Sequence, residues 1–274
     1  MAGDRHVIIS GGSSGIGLAL AARLRREGAR LSLLARDPEK LERAGARVDA
    51  GGSEVKTYPC DVSDEQSVRE TLELLTSRQG DPDWLLNCAG VLAGDYFEKF
   101  SAEDFRRLMD INFFGTLHLT MVALPGLKRR KGRIINVSSM AGVTGIFGYT
   151  SYCASKHAVA GFTEALRSEL APQGVKVHLV LPPEAETPML EEVRKSRPPE
   201  TRAVAETIPA LAADAVASSI LANVRQGRYL IVPGGRTRLL FFLGRVFPGL
   251  ERKMQDVLVR KNYQGPDGAF RKES

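Results

Sequence analysis

Little cysteine, a single tryptophan and no long apolar run bound what this 274-residue chain can be. Its three cysteines, Cys60, Cys88 and Cys153, stand far apart without a CxxC pair. That argues against a disulfide framework and a zinc site, and fits a reducing compartment. The histidines His6, His118, His157 and His178 lack metal-ligand spacing and read as structural, so no metal is expected. No stretch reaches the roughly 18 apolar residues of a membrane-spanning helix. The first residues run straight into a short apolar strand without a signal-peptide pattern, so a cytoplasmic protein is expected. Aromatic residues make up 7% of the chain, and no basic face interleaves with them, so no nucleic-acid partner is expected. Charge is displaced rather than scarce. Of the net +6, about +7 falls on Arg225–Ser274, with about 11 Lys/Arg against about 4 Asp/Glu, leaving the remainder near −1.

What is present is an alternation. Short apolar runs stand at His6–Ser10, Arg30–Ala35, Val55–Cys60, Trp84–Asn87, Arg133–Val137, Val175–Leu181 and Tyr229–Val232, and most are rich in Val, Ile and Leu without clean polar alternation, as strands buried on both faces are. Between them lie segments of helical period, including Ile16–Glu27 and Glu103–Leu124, the latter read as one long helix. Strand–helix alternation predicts an α/β fold: a doubly wound, Rossmann-type parallel sheet of about seven strands in three α/β/α layers. A single catalytic domain is expected over residues 1–235, with a substrate-side insertion at 182–212 and a basic, amphipathic, helical C-terminal extension at 236–274.

Ser10-Gly11-Gly12-Ser13-Ser14-Gly15-Ile16-Gly17 follows the first strand and opens the first helix. Glycines there let backbone approach a pyrophosphate, and the helix N-terminus offers free N–H groups and partial positive charge. At the end of the second strand, where an NAD site carries an acidic residue for the ribose 2′-hydroxyl, stand Ala35 and Arg36. Arg36 can pair with a 2′-phosphate, and Lys40 lies one turn further on, so NADP(H) is the expected cofactor. Asp37 would repel that phosphate. However, Asp37-Pro38-Glu39 reads as an N-cap with proline at the first helical position, which turns the carboxylate toward backbone N–H groups. Asp61 is read either as an adenine contact or as a turn residue.

Tyr152 and Lys156 are four apart, on one helical face. An ammonium about 4 Å from a phenol, at an effective dielectric near 20, contributes roughly 4 kcal/mol, enough to bring the phenol down by up to about 3 pH units. The phenol then becomes a usable general acid or base. Ser139, 13 residues before Tyr152 and just after a buried strand, can hydrogen-bond a carbonyl oxygen as charge develops, and its assignment over the neighbouring Ser138 rests on that spacing. Asn112, in a helix interior, is an awkward choice unless its amide is used, for instance to hold a water that relays protons from Lys156. Cys88 and Cys153 read as small packing residues.

The ordered set of the SGGSSGIG loop, Asp61-Val62, Asn87-Cys88-Ala89-Gly90, Asn112, Ser139 and Tyr152-Cys153-Ala154-Ser155-Lys156 resembles the short-chain dehydrogenase/reductase family from about His6 to Val232. The resemblance implies hydride transfer at a nicotinamide, with Asn112, Ser139, Tyr152 and Lys156 catalytic. It implies NADP contacts from Gly11, Ser13, Ser14, Gly15, Ile16, Gly17, Arg36, Lys40, Asp61, Val62, Asn87, Ala89, Gly90, Tyr152, Lys156, Pro182 and Thr187. The sequence departs from the family in Ser10 and Cys88. Within the family, residues 145–152, Pro182-Pro183-Glu184-Ala185-Glu186-Thr187-Pro188 and Pro198–Arg202 are similar to the 3-ketodihydrosphingosine reductases. That likeness implies NADPH-dependent reduction of a long-chain 2-amino-3-ketone, in an anchor-free form. Other ketone substrates (3-oxoacyl, steroid, retinoid) and a non-catalytic NADP-binding regulator are the competing readings. A homo-oligomer, dimer or tetramer, is the family default. Arg238–Phe247, apolar and flanked by arginines, fits either peripheral contact with an anionic membrane or packing on the domain or a subunit interface.

Overall fold

The computed structural model describes residues 5–49, 52 and 54–266. Seven parallel strands form the central sheet: β1 (His6–Ser10), β2 (Arg30–Ala35), β3 (Val55–Pro59), β4 (Trp84–Asn87), β5 (Arg133–Val137), β6 (Lys176–Val180) and, late in the chain, β9 (Leu230–Ile231). Their order is β3-β2-β1-β4-β5-β6-β9. A parallel sheet covered on both faces needs apolar residues on both, and this explains the runs rich in Val, Ile and Leu. In β1, Val7 and Ile9 face one layer, where they meet Leu20 and Leu24 of helix α1 (Gly15–Arg26). Ile8 faces the other, with Leu72 of α3 (Glu65–Gln79). Helix α9 (Ala213–Arg225) completes the first layer; α5 (Gly115–Arg129) and α6 (Thr150–Leu170) complete the second.

Helix α2 (Pro38–Asp49) starts as the sequence predicts. Asp37 Oδ1 accepts from Lys40 N at 3.0 Å, which caps the helix. The segment expected as one long helix is continuously helical but carries a π-helical turn within it. Helix α4 (Ala102–Met109) passes into a π-helical turn at Asp110–Phe114 before α5 begins. Two tertiary contacts outweigh the helical period there. Asn112 is held by the loop after β4, and Gly115 lies so close to Val62 that a Cβ would stand 2.6 Å from its Cγ2.

The strand order reverses between β1 and β4, which opens a crevice at the carboxyl ends of the strands. Over it lies the segment after β6. A short parallel pair, β7 (Ala185–Glu186) and β8 (Leu211–Ala212), brackets α7 (Pro188–Ser196) and α8 (Pro199–Ala205). The chain then forms two further helices, α10 (Gly235–Val246) and α11 (Pro248–Asn262). No helix among the described residues is long and apolar enough to cross a membrane.

Candidate active site

The glycine-rich turn between β1 and α1 is shaped by close approach. Gly11 has φ +67°, and a Cβ on it would stand 2.9 Å from Ala89 N. Gly15 has φ +53° and faces Thr187 Cγ2, and a Cβ on Gly17 would collide with the Gly11 carbonyl. Ser14 is the N-cap of α1, yet its side chain makes no capping bond, and no acidic residue occupies the first turn. The N–H groups of that turn, around Ser13, Ser14, Ile16 and Gly17, therefore meet no protein anion. Sequence reasoning missed the part played by Ser10. Its Oγ accepts from Cys88 N (3.1 Å) and Ala89 N (3.2 Å), tying the turn to the loop after β4.

At the end of β2, Arg36 is exposed and makes no ion pair among the described residues. Lys40 Nζ rests 3.3 Å from Asp37, so its charge is partly engaged there. Asp61 Oδ1 accepts from Ser63 N and Ser63 Oγ, at 3.0 and 2.6 Å, a turn arrangement, with Val62 buried beside it. Asn87 lies away from the crevice surface, in a buried amide chain. Its Nδ2 donates to Asn136 Oδ1 (2.8 Å) and Thr120 Oγ1 (3.2 Å), and Asn136 in turn donates to Thr163. The Pro182 carbonyl accepts from Met140 N at 3.0 Å, and Thr187 Oγ1 caps α7.

Tyr152 and Lys156 lie on α6, with the ammonium 5.8 Å from the centre of the phenol ring. Lys156 is buried, and its Nζ donates to the Val137 carbonyl at 3.1 Å. Burial holds its value down at about 8, opposed in part by the Cys88 thiol. Gly90 explains how the loop passes so near: a Cβ there would stand 3.3 Å from Nζ and 3.0 Å from Asn112 Oδ1. Tyr152 does not follow the simple pairwise expectation. Burial raises its phenol well above the ordinary tyrosine value, and a hydrogen bond with Ser139 is the opposing influence. A phenol so held is protonated at neutral pH.

The structure separates the two serines. Ser138 Oγ is buried and donates to the Lys156 carbonyl at 2.8 Å, fixing β5 to α6. Ser139 is the one beside the Tyr152 hydroxyl, its own Oγ also accepting from Ala141 N at 3.1 Å. Asn112 is buried, and its amide is fully used. Oδ1 accepts from Val91 N (2.7 Å), while Nδ2 donates to the Val91 carbonyl (3.0 Å) and to Ser155 Oγ (2.9 Å). Ser155 donates to the Tyr152 carbonyl. Asn112 therefore ties the post-β4 loop to the helix that carries Tyr152, a link that no spacing rule announces. Tyr152 itself sits in an apolar cluster with Leu92, Ile146, Tyr149, Leu190 and Val193.

The sequence matches the family described as short chain dehydrogenase over residues 5–198. The 3-dehydrosphinganine reductase TSC10B of Arabidopsis thaliana is 39% identical over 232 residues, 83% of this chain and 69% of that protein. The 3-ketodihydrosphingosine reductase of Mus musculus is 36% identical over 230 residues, 82% of this chain and 69% of that protein. Among solved structures, a short chain dehydrogenase from Burkholderia cenocepacia in complex with NADP superposes with a TM-score of 0.78 at 26% identity. It covers 93% of this chain and 98% of that one.

Proposed function

The chain belongs to the short chain dehydrogenase family, an oxidoreductase fold and site, and we propose that it reduces a long-chain 2-amino-3-ketone, 3-ketodihydrosphingosine, to the secondary alcohol with NADPH. The observation that carries the reaction class is the convergence of a protonated Tyr152, Ser139 and the buried ammonium of Lys156 at the crevice where the glycine turn opens α1. The substrate rests on the relatives bearing that activity in their names.

The residues present fit a dinucleotide. The approaches at Gly11, Gly15 and Gly17 leave no room for a side chain, the first turn of α1 carries no acidic residue, and Arg36 makes no ion pair among the described residues. Arg36 would hold the 2′-phosphate, assisted by Lys40 once it leaves Asp37. Gly11 to Gly17 would face the pyrophosphate, and Asp61, Val62, Ala89, Gly90, Pro182 and Thr187 would border the remainder. Asn87 would act from beneath, through β4. When bound, the cofactor supplies the hydride.

The protein's own work is proton transfer and orientation. Tyr152 donates its hydroxyl proton to the carbonyl oxygen as negative charge develops there. Ser139 donates a hydrogen bond to the same oxygen. Lys156 favours the phenolate left behind by its charge. Asn112, through Val91 and Ser155, holds Tyr152 and Lys156 in register with the loop they face. Leu92, Ile146, Leu190 and Val193 offer apolar contact to the substrate.

We take residues 1–235 as the catalytic unit and 236–274 as a separate basic extension whose last residues, 267–274, lie outside the described residues. Phe241 of α10 is buried against the body, whereas Leu239, Phe242, Val246, Phe247 and Leu250 are exposed beside Arg238 and Arg245. This supports contact with an anionic lipid surface, checked by co-sedimentation with anionic and neutral vesicles. A homo-oligomer is also part of the proposal, read by light scattering. The function itself is tested by NADPH oxidation against a panel of ketones. Turnover of the long-chain amino ketone is expected; turnover only of 3-oxoacyl, steroid or retinoid ketones would overturn it.

A further inference from the structure

At the mouth of the crevice, one carboxylate lies closer to the reacting group than the reaction class requires. Glu184 follows β6 in the segment over the site. Its Oε1 accepts from Arg197 Nη1 at 2.6 Å and lies 3.5 Å from the hydroxyl of Tyr149. Tyr149 is buried and packs edge-on against Tyr152, ring centres 6.0 Å apart. Arg197 is itself buried, with its side chain 1% exposed, and also reaches Glu206 at 3.5 Å. Glu206 is largely exposed, and Arg194, itself paired with Glu186, lies within electrostatic reach of both Glu184 and Glu206.

The second oxygen of Glu184, Oε2, has no hydrogen-bond partner among the described residues, and the side chain keeps 16% of its surface open. Arg197 therefore fixes the carboxylate by one oxygen and leaves the other without such a partner among the described residues. A cleft bounded by Leu92 and Val193, both in the apolar cluster of Tyr152, is lined by Asp95, Asp104 and Lys99, and by Glu192, which is paired with Lys195. Neither hydride transfer nor protonation of a ketone calls for negative charge there. A carboxylate near the phenol even works against ionisation of Tyr152. A carboxylate so placed can accept a charge-assisted hydrogen bond from a cationic group on the substrate.

We propose that Glu184, held by Arg197, receives the substrate's ammonium group and makes the enzyme selective for 2-amino ketones. The proposal rests on the functional reading above. The amine is borne by the carbon next to the carbonyl, so with the carbonyl oxygen at Tyr152 and Ser139 the ammonium falls within the reach of a carboxylate that flanks Tyr149. A charge-assisted N–H···O bond to Oε2 then fixes which face of the ketone meets the hydride. The alkyl chain is left to the apolar wall.

The test compares three ketones of equal chain length: the 2-amino ketone, its N-acetyl derivative, and the ketone with hydrogen in place of nitrogen. The wild-type chain is expected to favour the amino ketone over both by about 10- to 100-fold in kcat/KM. E184Q is expected to lose that preference, the ratio of the amino to the deamino ketone falling toward one, and E184D to recover part of it. Melting temperatures report whether the Arg197 pair is needed for folding, and the wild-type comparison stands even if E184Q does not fold. If the wild type treats all three alike, or E184Q lowers all three by one factor, the assignment is overturned and the Glu184–Arg197 pair is a structural clasp. If the wild type reduces other ketones but not the amino ketone, the functional reading fails first.

Discussion

Replacing Lys156 by methionine should separate stability from catalysis. In the folded chain burial holds this ammonium at about 8, against 10.5 for an ordinary lysine. At 1.36 kcal/mol per pH unit, keeping it charged at neutral pH costs the fold about 3 kcal/mol. Methionine has similar length and removes that cost, but it leaves the Val137 carbonyl without its 3.1 Å donor, worth about 1–3 kcal/mol. K156M should therefore match or exceed the wild type in stability at pH 7, by no more than about 2 kcal/mol. The sign with pH follows from proton binding. Between about 8 and 10.5 the unfolded chain keeps the lysine proton and the folded chain has lost it. Wild-type stability from this group thus rises with pH, by about 2 kcal/mol from pH 7.5 to 9.5, and K156M lacks the rise. Denaturant unfolding of both proteins at the two pH values gives the difference directly. Over the same substitution, kcat/KM should drop by about 100- to 10,000-fold. A wild-type-minus-variant difference that stays flat with pH, or a loss beyond about 3 kcal/mol at pH 7, would refute a buried, costly ammonium.

Other substitutions address the remaining groups. R36E should raise KM for NADPH by about 10- to 100-fold and leave NADH less affected, in steady-state assays with each cofactor. Y152F should retain NADPH binding, followed by fluorescence, while kcat falls about 100- to 10,000-fold because the transferable proton is gone. The two serines should divide. S139A is expected to lower kcat by about 10- to 100-fold with little change in melting temperature, whereas S138A, which breaks the buried bond to the Lys156 carbonyl, should cost about 1–3 kcal/mol of stability.

The local chemistry of the site was legible in the sequence because it depends on neighbours. The glycine turn sits where a strand meets a helix, Tyr152 and Lys156 are one helical turn apart, and Asp37 caps α2 three residues before Lys40. Most of the parallel strands announce themselves by runs rich in Val, Ile and Leu, and all seven were found close to their observed ends, although β3 (VKTYP) is largely polar and only partly buried. What spans many residues was not legible. The π-helical turn at Asp110–Phe114 arises from Asn112 meeting Val91 and Gly115 meeting Val62, contacts that no helical period encodes. Asn87 looks from its motif like a crevice residue, but its amide donates to Asn136 on the neighbouring strand and to Thr120 of α5, because strand pairing sets which face of the sheet it stands on.

By itself, then, the chain's residue order determined the layered fold and the reacting pair, since both follow from short-range periodicity and side-chain chemistry. Only the folded molecule decided how that pair is tuned, because desolvation depends on everything packed around a group. It raised the phenol of Tyr152 and lowered the ammonium of Lys156, and it gave Ser138 a separate task on the Lys156 carbonyl. It also carried Glu184, 32 residues from Tyr152 in sequence, to the mouth of the crevice, with Arg197 to hold it there.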